Sequence, residues 1–307
     1  MTKIRKNTGG SSLIYAQIKG GIGNQLFQYS VAYYLKKKTG TDLCLDYSGA
    51  KVGKIYRKTG LRKKTEIREY RLECFSLDPH NSRSSAAGFA LDLIIKRLMK
   101  GKGFTGKGTA QLLEEEGTDC RENNMDVFAG IDSSKDYIVS GYWQSIQYIE
   151  PVRKDLQRQF RISIKTGDEY RRALEDIQSC ESIGVHVRRG DFVTLGWDKG
   201  IDYYQNALDA AGAMIPNARF FFFSDDREWV KEHFIAENYT PVNISEDYAD
   251  VKEFDLLRHC RHQIISESTF GWWAAYLNEY RNKSVFIPFD CRGDIWNDGW
   301  RRIEYKK

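Results

Sequence analysis

The feature that most constrains the fold of this chain is an alternation of strand and helix patterns in its second half. Short apolar segments predict strands at residues 183–187, 219–223, 263–265 and 285–288. Between and after them, helical patterns occur at residues 202–213, 229–234, 256–262 and from the 266–270 segment onward. Strands that alternate with helices form parallel sheets with helices on both faces. The sequence therefore predicts an α/β fold with a doubly wound parallel sheet.

The first half of the chain shows a sparser version of the same pattern. Strands are predicted at residues 13–18, 42–46 and 137–139, and a helix follows the first strand. A further helix is predicted at 151–164, and the polar segment 165–168 is the expected boundary between the halves. We therefore expect two domains, residues 1–165 and 166–307.

Three polar clusters, 186–191, 224–226 and 266–270, each follow an apolar strand of the second half. In a parallel sheet of this kind, ligands bind at the carboxyl ends of the strands. The three clusters are therefore expected to meet at one edge of the sheet and to form a site there.

Two adjacent arginines end the first of these strands. Alternation along the strand turns Val185 and Val187 to one side and His186 and Arg188 to the other. Arg188 and Arg189 form a cationic fork suited to a diphosphate or a carboxylate. Gly190 is predicted to make a tight turn that carries Asp191. The alternative interpretation is a solvated arginine pair beside a surface aspartate.

The other two clusters offer complementary groups. Ser268 and Thr269, with the helix start, supply hydroxyl and N–H donors for a phosphate. Asp225 or Asp226 could accept from a guanine edge or a ribose hydroxyl, or could cap the next helix.

A glycine loop, residues 20–25, lies between the first strand and the first helix. Such a loop at a helix N-terminus can bind an anion, although its spacing departs from the dinucleotide pattern because Leu26 occupies the last glycine position. Asn24 and Gln25 are amides that could hydrogen-bond a sugar, and a plain βα turn is the equal alternative. Residues 141–145, which contain Tyr142, Trp143 and Gln144, could form a sugar platform or a half-buried aromatic cluster.

Composition and charge exclude several classes of protein. The chain has no apolar run of 18 residues or more, no signal-peptide pattern and no C-x-x-C pair, so we expect a cytoplasmic protein. Residues 1–110 carry 22 Lys and Arg against 7 Asp and Glu, whereas the remainder is acidic. The basic half favours peripheral contact with an anionic membrane over nucleic acid, because it lacks interleaved aromatic residues.

Three further patterns have weaker functional implications. Residues 86–99 predict an apolar helix, and residues 101–107 resemble a P-loop but lack its Ser or Thr and follow a helix. The chain contains no D-x-D sequence, and His259 and His262 are interpreted as structural, so no metal is expected.

Five segments together resemble the GDP-fucose-dependent galactoside α-1,2-fucosyltransferases of glycosyltransferase family 11. They are GGIGNQLFQYSVAYYL (20–35), GYWQSIQYI (141–149), GVHVRRGDFV (184–193), FFFSDDREW (221–229) and STFGWWAAYL (268–277). The resemblance implies a GT-B-like architecture of two Rossmann-type domains facing across a cleft, in which the last helix can pack back on the first domain. It implies metal-independent, inverting transfer of L-fucose from GDP-L-fucose to the 2-hydroxyl of a terminal β-galactoside.

The same resemblance implies roles for individual residues. The first domain would serve the acceptor and the second would bind GDP-fucose. The residues expected to take part in catalysis are Arg188, Asp191, His186 and Asn24, with Asp191 as the candidate general base. Donor contacts are expected from Gly21, Gly23, Arg189, Ser224, Asp225, Asp226, Ser268, Thr269 and Phe270, and acceptor contacts from Gln25, Tyr142, Trp143 and Gln144.

One residue departs from the family pattern. Glu267 stands where the family carries Asn, and a carboxylate beside a diphosphate is repulsive unless a cation faces it. The expected setting is bacterial O-antigen or surface-glycan synthesis. Transfer to another linkage or acceptor (α-1,6 or protein O-fucosyl), or non-catalytic sugar or nucleotide binding, remain the alternative hypotheses.

Overall fold

A computed structural model of the chain describes residues 12–48, 68–83, 111–115, 128 and 130–306. The chain divides into two compact units: unit 1 comprises residues 1–73 and 77–160, and unit 2 comprises residues 74–76 and 161–307. The predicted helix at 86–99 and the P-loop-like segment at 101–107 lie outside the described residues.

Unit 1 is built on a five-stranded sheet in which every pairing is parallel. Its strands are β1 (Leu13–Gln17), β2 (Asp42–Asp46), β3 (Asn81–Arg83), β4 (Gln111–Glu114) and β5 (Tyr137–Ser140), in the spatial order β3-β2-β1-β5-β4. Among the described residues, its helices are α1 (Ile22–Thr39), α2 (Ile146–Ile149) and α3 (Arg153–Gln159). The strand order reverses between β1 and β5, which makes the carboxyl ends of these two strands the switch point of the sheet.

Helix α1 begins directly at that switch point. Gly20, with φ 80°, turns the chain out of β1, and Gly21 is the N-cap of the helix. The helix buries Leu26, Phe27 and most of its other residues, and Gly40 ends it in the left-handed conformation.

Unit 2 contains a six-stranded sheet that is also wholly parallel. Its strands are β6 (Ser182–Val187), β7 (Arg219–Ser224), β8 (Tyr239–Pro241), β9 (His262–Ile265), β10 (Val285–Pro288) and β11 (Arg301–Ile303). Its helices are α4 (Asp168–Gln178), α5 (Gly190–Leu195), α6 (Gly200–Met214), α7 (Arg227–His233), α8 (Ala249–His259) and α9 (Thr269–Leu277). The spatial order β8-β7-β6-β9-β10-β11 is the Rossmann order, with its switch point between β6 and β9.

Both faces of strand β6 are covered, as the sequence predicts for a central parallel strand. Val185 and Val187 pack in a core cluster with Tyr203 and Tyr204 of α6. On the opposite face Gly184 lies so close to α8 that a Cβ there would come within 2.5 Å of Leu257 Cδ1. The α/β class and the two Rossmann-like parallel sheets are confirmed.

Several element boundaries differ from the sequence predictions. The helix predicted at 151–164 ends at Gln159, and the one predicted at 256–262 runs from Ala249 to His259, because His262 already belongs to β9. Gly190 does not make a tight turn but begins α5. A Cβ at this position would overlap the carboxylate of Asp225, so a larger residue would have to displace that side chain.

Candidate functional site

The three polar clusters of unit 2 lie at one edge of its sheet, as predicted. Strand β6 pairs with β9 on one side, where His186 is opposite Ile265, and with β7 on the other, where Val187 is opposite Ser224. The segments that follow these strands therefore leave the sheet side by side at the switch point. Arg188, Asp225 and Ser266 are the residues that directly follow their respective strands.

Arg188 is held by two carboxylates. Its Nη1 donates to Asp225 Oδ2 at 2.6 Å, and its Nη2 donates to Asp191. Its side chain is 16% exposed, and the guanidinium carbon lies 5.4 Å from the centre of the Phe192 ring. The arginine is thus partly desolvated and oriented, which contradicts the alternative of a freely solvated pair.

Arg189 is fixed in a similar way by different partners. Its Nη1 donates to Asp198 Oδ2 at 2.8 Å and its Nε to Asp226 Oδ2 at 3.1 Å. Its guanidinium carbon lies 4.1 Å from the centre of the Trp229 ring, a cation–π distance. The two guanidiniums therefore pair with separate carboxylates, and Arg188 bonds Asp191, the candidate base.

The two aspartates after β7 have distinct positions. Asp225 accepts from the backbone N–H of Arg189 at 2.9 Å as well as from the Arg188 side chain. Asp226 is the N-cap of α7 and accepts from the N–H of Trp229 at 3.3 Å, which confirms the capping interpretation for this residue. Ser224 Oγ accepts from the N–H of Asp226 at 3.0 Å and so shapes the same turn.

His186 is buried beneath the arginines, with 6% of its surface exposed. Its ring stacks on Phe270, with centroids 5.0 Å apart and planes inclined by 20°. Burial, together with the charge of Arg188, lowers the pKa of His186 to about 3. The imidazole is therefore neutral near pH 7, and one face of its ring is covered by Phe270.

The segment after β9 brings a helix N-terminus to the same edge. Ser268 is the N-cap of α9 and is 7% exposed, and its side chain makes no capping hydrogen bond. Thr269 and Phe270 form the first turn, where backbone N–H groups point out of the helix. Such a terminus beside Arg188 is suited to an anionic group.

Glu267, which departs from the family pattern, faces a lysine. Lys199 Nζ donates to Glu267 Oε2 at 2.8 Å and to Asp290 Oδ1 at 3.2 Å. Burial by itself lowers the pKa of Lys199, but the hydrogen bond and charge of Glu267 and the charge of Asp290 raise it above its ordinary value. Lys199 therefore stays charged and supplies the cation that Glu267 requires.

At the switch point of unit 1, two amides predicted to bind substrate meet each other. Gln144 Nε2 donates to Asn24 Oδ1 at 3.1 Å, which joins the loop after β5 to the start of α1. Gly23 is buried in the first turn of α1, whereas a Cβ placed at Gly21 would meet no atom of the described residues within 4 Å. Tyr142 is half-buried, and Lys19 Nζ lies 4.9 Å from the centre of its ring.

Three of the predicted acceptor residues are buried in this structure, namely Gln25, Trp143 and Gln144, the last of which is 8% exposed. Gln25 is 2% exposed, and its amide donates to the carbonyls of Gly20 and Glu69 and accepts from the N–H of Arg71. Trp143 is 1% exposed. It packs among aromatic rings of the unit 1 core, which include Phe128 and Tyr148. Long-range packing covers Gln25 and Trp143, and their contact with an acceptor stays a prediction.

Sequence reasoning missed four residues that shape these sites. Lys199 and Asp198 neutralise site charges, Glu115 accepts from the N–H groups of Tyr142 and Trp143, and Lys19 faces the Tyr142 ring. Of these four, only Lys19 could have been found from the sequence, because it directly precedes the glycine loop.

Within the described ranges, no group of three His, Cys, Asp or Glu side chains could hold a metal ion. No helix in the same part of the chain is long and apolar enough to cross a membrane.

Two Rossmann-like parallel sheets in one chain are the architecture of the GT-B fold. The chain belongs to glycosyl transferase family 11, whose family model matches residues 104–292.

Three named relatives give this membership more detail. The chain is 26% identical to the O-antigen biosynthesis glycosyltransferase WbnK of Escherichia coli, over 90% of this chain and 93% of that protein. It is 25% identical to an alpha-1,2-colitosyltransferase of Escherichia coli, over 88% of this chain and 89% of that protein. It is 30% identical to the galactoside 2-alpha-L-fucosyltransferase SEC1 of Bos taurus, over 45% of this chain and 41% of that protein.

A solved structure with the same fold is a mutant of FUT1 from Arabidopsis thaliana in complex with GDP. It superposes with a TM-score of 0.52 at 13% identity, over 92% of this chain and 72% of that chain. At this identity the likeness concerns the fold alone.

Proposed function

We propose that this family 11 glycosyltransferase moves L-fucose from GDP-L-fucose to the 2-hydroxyl of a terminal β-galactoside. The observation that carries the proposal is that Arg188 and the N-terminus of α9 follow the carboxyl ends of the neighbouring strands β6 and β9, at the switch point of unit 2. Relatives named for α-1,2 transfer of fucose or colitose, and one named for O-antigen biosynthesis, support the linkage and a role in surface-glycan synthesis.

In this proposal unit 2 binds the donor. Arg188 and the N–H groups at Ser268 and Thr269 bind the diphosphate, and Asp225 or Asp226 lies toward the guanosine. A charge-assisted bond from arginine strengthens as negative charge develops on the departing phosphate. The chain's own cations therefore stabilise the leaving group, and we expect no metal to be required.

Unit 1 would bind the acceptor. Tyr142, Gln144 and Asn24 stand at the carboxyl ends of β5 and β1, where a half-buried ring and amides suit a sugar. Asn24 and the backbone at Gly21 and Gly23 would also approach the transferred sugar.

The reaction we propose is a single displacement with inversion. The 2-hydroxyl oxygen of the acceptor attacks C1 of fucose, and the bond from C1 to the β-phosphate oxygen breaks with its electron pair leaving on GDP. The acceptor proton passes to a carboxylate, for which Asp191 is the candidate. Asp191 is 41% exposed and bonded to Arg188, which places this carboxylate beside the arginine proposed to hold the diphosphate.

The test is GDP release from GDP-fucose with a β-galactoside acceptor, followed by linkage analysis of the product. Arg188→Ala should lower kcat/KM by about 10²- to 10³-fold, the usual loss when one transition-state donor is removed. Arg171→Ala is the matched control, because Arg171 also pairs with an aspartate but lies on exposed α4. Products with a linkage other than α-1,2 would contradict the proposed linkage. Binding of GDP-fucose and acceptor without turnover would contradict the proposal that the protein is an enzyme.

One of the relatives supports an alternative donor for this chain. The alpha-1,2-colitosyltransferase matches nearly the whole chain, so nucleotide-activated colitose is the alternative to GDP-fucose. Competition between the two donors in the same assay separates them through the ratio of their kcat/KM values.

A further inference from the structure

We propose that residues 192–197 of unit 2 form an apolar wall of the donor-sugar subsite, which selects a 6-deoxy sugar over the same sugar with a 6-hydroxyl. The segment carries four large apolar side chains, Phe192, Val193, Leu195 and Trp197. This inference rests on the proposed function, because it assumes that unit 2 binds a nucleotide-activated sugar. It adds which part of that sugar the protein recognises.

The two ends of this segment are held by the two arginines that follow β6. Asp191, directly before the segment, bonds Arg188. Asp198, directly after it, accepts from Arg189 Nη1 at 2.8 Å. The segment is therefore a loop closed by an ion pair at each end, and its position beside the arginines is fixed before any ligand binds.

The side chains of the segment leave apolar surface uncovered. No residue of α5 is buried, and Val193, Leu195 and Trp197 are 50%, 51% and 54% exposed. Trp197 meets Phe192 edge to face, with centroids 5.6 Å apart and planes inclined by 85°, a contact that covers at most one face of the indole. Large apolar side chains that are exposed close together mark a site for a ligand or a partner.

This segment begins next to the arginine proposed to bind the diphosphate. The guanidinium carbon of Arg188 lies 5.4 Å from the centre of the Phe192 ring. The two Nη atoms of Arg188 bond different carboxylates, Asp225 after β7 and Asp191 in the first turn of α5. In the proposed function the guanosine lies toward Asp225, and C1 of the transferred sugar lies beside Asp191, the candidate base. The sugar then leaves the diphosphate on the side where Phe192 and the residues after it stand.

A 6-deoxy sugar is the transferred group that suits such a surface. L-Fucose differs from L-galactose only in a methyl group that replaces CH₂OH, and colitose, the alternative donor sugar, also lacks the 6-hydroxyl. Contact of a methyl group with apolar side chains is favourable, whereas a hydroxyl placed there loses hydrogen bonds to water. An apolar pocket discriminates by one such group about 10- to 100-fold. Because these side chains are half exposed, we expect the lower end of that range.

The experiment compares GDP-L-fucose with GDP-L-galactose as donors for one β-galactoside acceptor. The wild type should prefer GDP-L-fucose about tenfold in kcat/KM. Trp197→Ala and Leu195→Ala should each lower this ratio at least about threefold and leave the Kd of GDP within about twofold, because they remove contacts to the sugar alone. Met214→Ala is the matched control, since Met214 is also an exposed apolar residue but ends α6, ahead of the amino end of β7.

Equilibrium titration with GDP, GDP-L-fucose and GDP-L-galactose distinguishes failure of this inference from failure of the proposed function. Tighter binding of GDP-L-fucose than of GDP-L-galactose, lost in Trp197→Ala, supports the subsite even if no sugar is transferred. Equal use of the two donors by the wild type, or the same ratio in the wild type and both variants, would overturn the inference while transfer itself remains. Weaker binding of GDP by Trp197→Ala would place the guanine on this surface and also overturn it. Failure of the wild type to bind either sugar nucleotide would overturn both proposals.

Discussion

The Nζ of Lys199 lies 2.8 Å from Oε2 of Glu267, and this pair joins the loop before α6 to the loop before α9. The side chains are only 8% and 15% exposed. Asp290, which bonds the same Lys199, also accepts from the hydroxyl of Tyr305 at 2.8 Å. A buried lysine thus neutralises the carboxylate nearest the start of α9.

We predict that Lys199→Met destabilises the protein by about 3 kcal/mol, because it leaves two carboxylates without their cation in a buried place. It should also weaken GDP binding more than tenfold, since the negative charge of Glu267 then stands beside the proposed diphosphate site. Denaturant unfolding and GDP titration measure the two effects. Lys199→Met with Glu267→Gln should recover a large part of both losses, and strictly additive single effects would contradict the coupling.

Asp225 positions Arg188 through the 2.6 Å bond to its Nη1. Asp225→Asn removes the charge of this anchor, and we expect kcat/KM to fall about tenfold. Asp176→Asn is the matched control, because Asp176 pairs with Arg219 at the opposite, amino-terminal end of β7. Tighter GDP binding by Asp225→Asn would instead show that Asp225 competes with the diphosphate for Arg188.

The low pKa of His186 predicts a pH dependence of stability. In the folded chain the ring binds a proton only near pH 3, whereas in the unfolded chain it does so at its ordinary value of 6.5. The unfolded state therefore binds more protons between these values. His186 thus lowers the free energy of unfolding by about 1.4 kcal/mol per pH unit as the pH falls through this window.

His186→Gln removes this contribution, so its unfolding free energy should fall less steeply than that of the wild type at about pH 6, 5 and 4. Urea unfolding at each pH provides the measurement. Parallel curves for the two proteins would show that His186 is not a buried, neutral imidazole.

Replacement of Gly184 and of Gly212 by alanine should change stability in opposite directions. Gly184→Ala would push a methyl group into Leu257 and Cys260, and we expect a loss of about 1–3 kcal/mol. Gly212→Ala on α6 meets no atom within 4 Å and should stabilise by about 0.5–1 kcal/mol. Thermal unfolding of both variants tests the close approach of β6 and α8. Equal shifts in Tm for the two variants would contradict that approach.

Metal independence is the simplest prediction to check. If Arg188 and the start of α9 neutralise the leaving GDP, then EDTA should leave the rate of transfer unchanged, and added Mg²⁺ or Mn²⁺ should raise it less than about twofold. Loss of activity in EDTA that Mn²⁺ restores would show that a metal takes part.

The sequence alone was sufficient to predict the fold class, the order of most strands along the chain and the family. These depend on local patterns: apolar runs bounded by glycine and polar residues, helical periodicity, and motifs in a fixed order. Even the meeting of 186–191, 224–226 and 266–270 at one edge followed from the sequence, because parallel strands place their carboxyl ends together.

Only the tertiary structure decided which side chains pair and which are covered. Lys199 and Glu267 are 68 residues apart, and Gln144 and Asn24 are 120 apart, so no local pattern links them. Burial of Gln25 and Trp143 depends on segments distant in the chain, and the same is true of the stack of Tyr47 on Tyr70. Hydrogen-bond partners and burial are set by contacts between distant segments, and these exist only once the chain has folded.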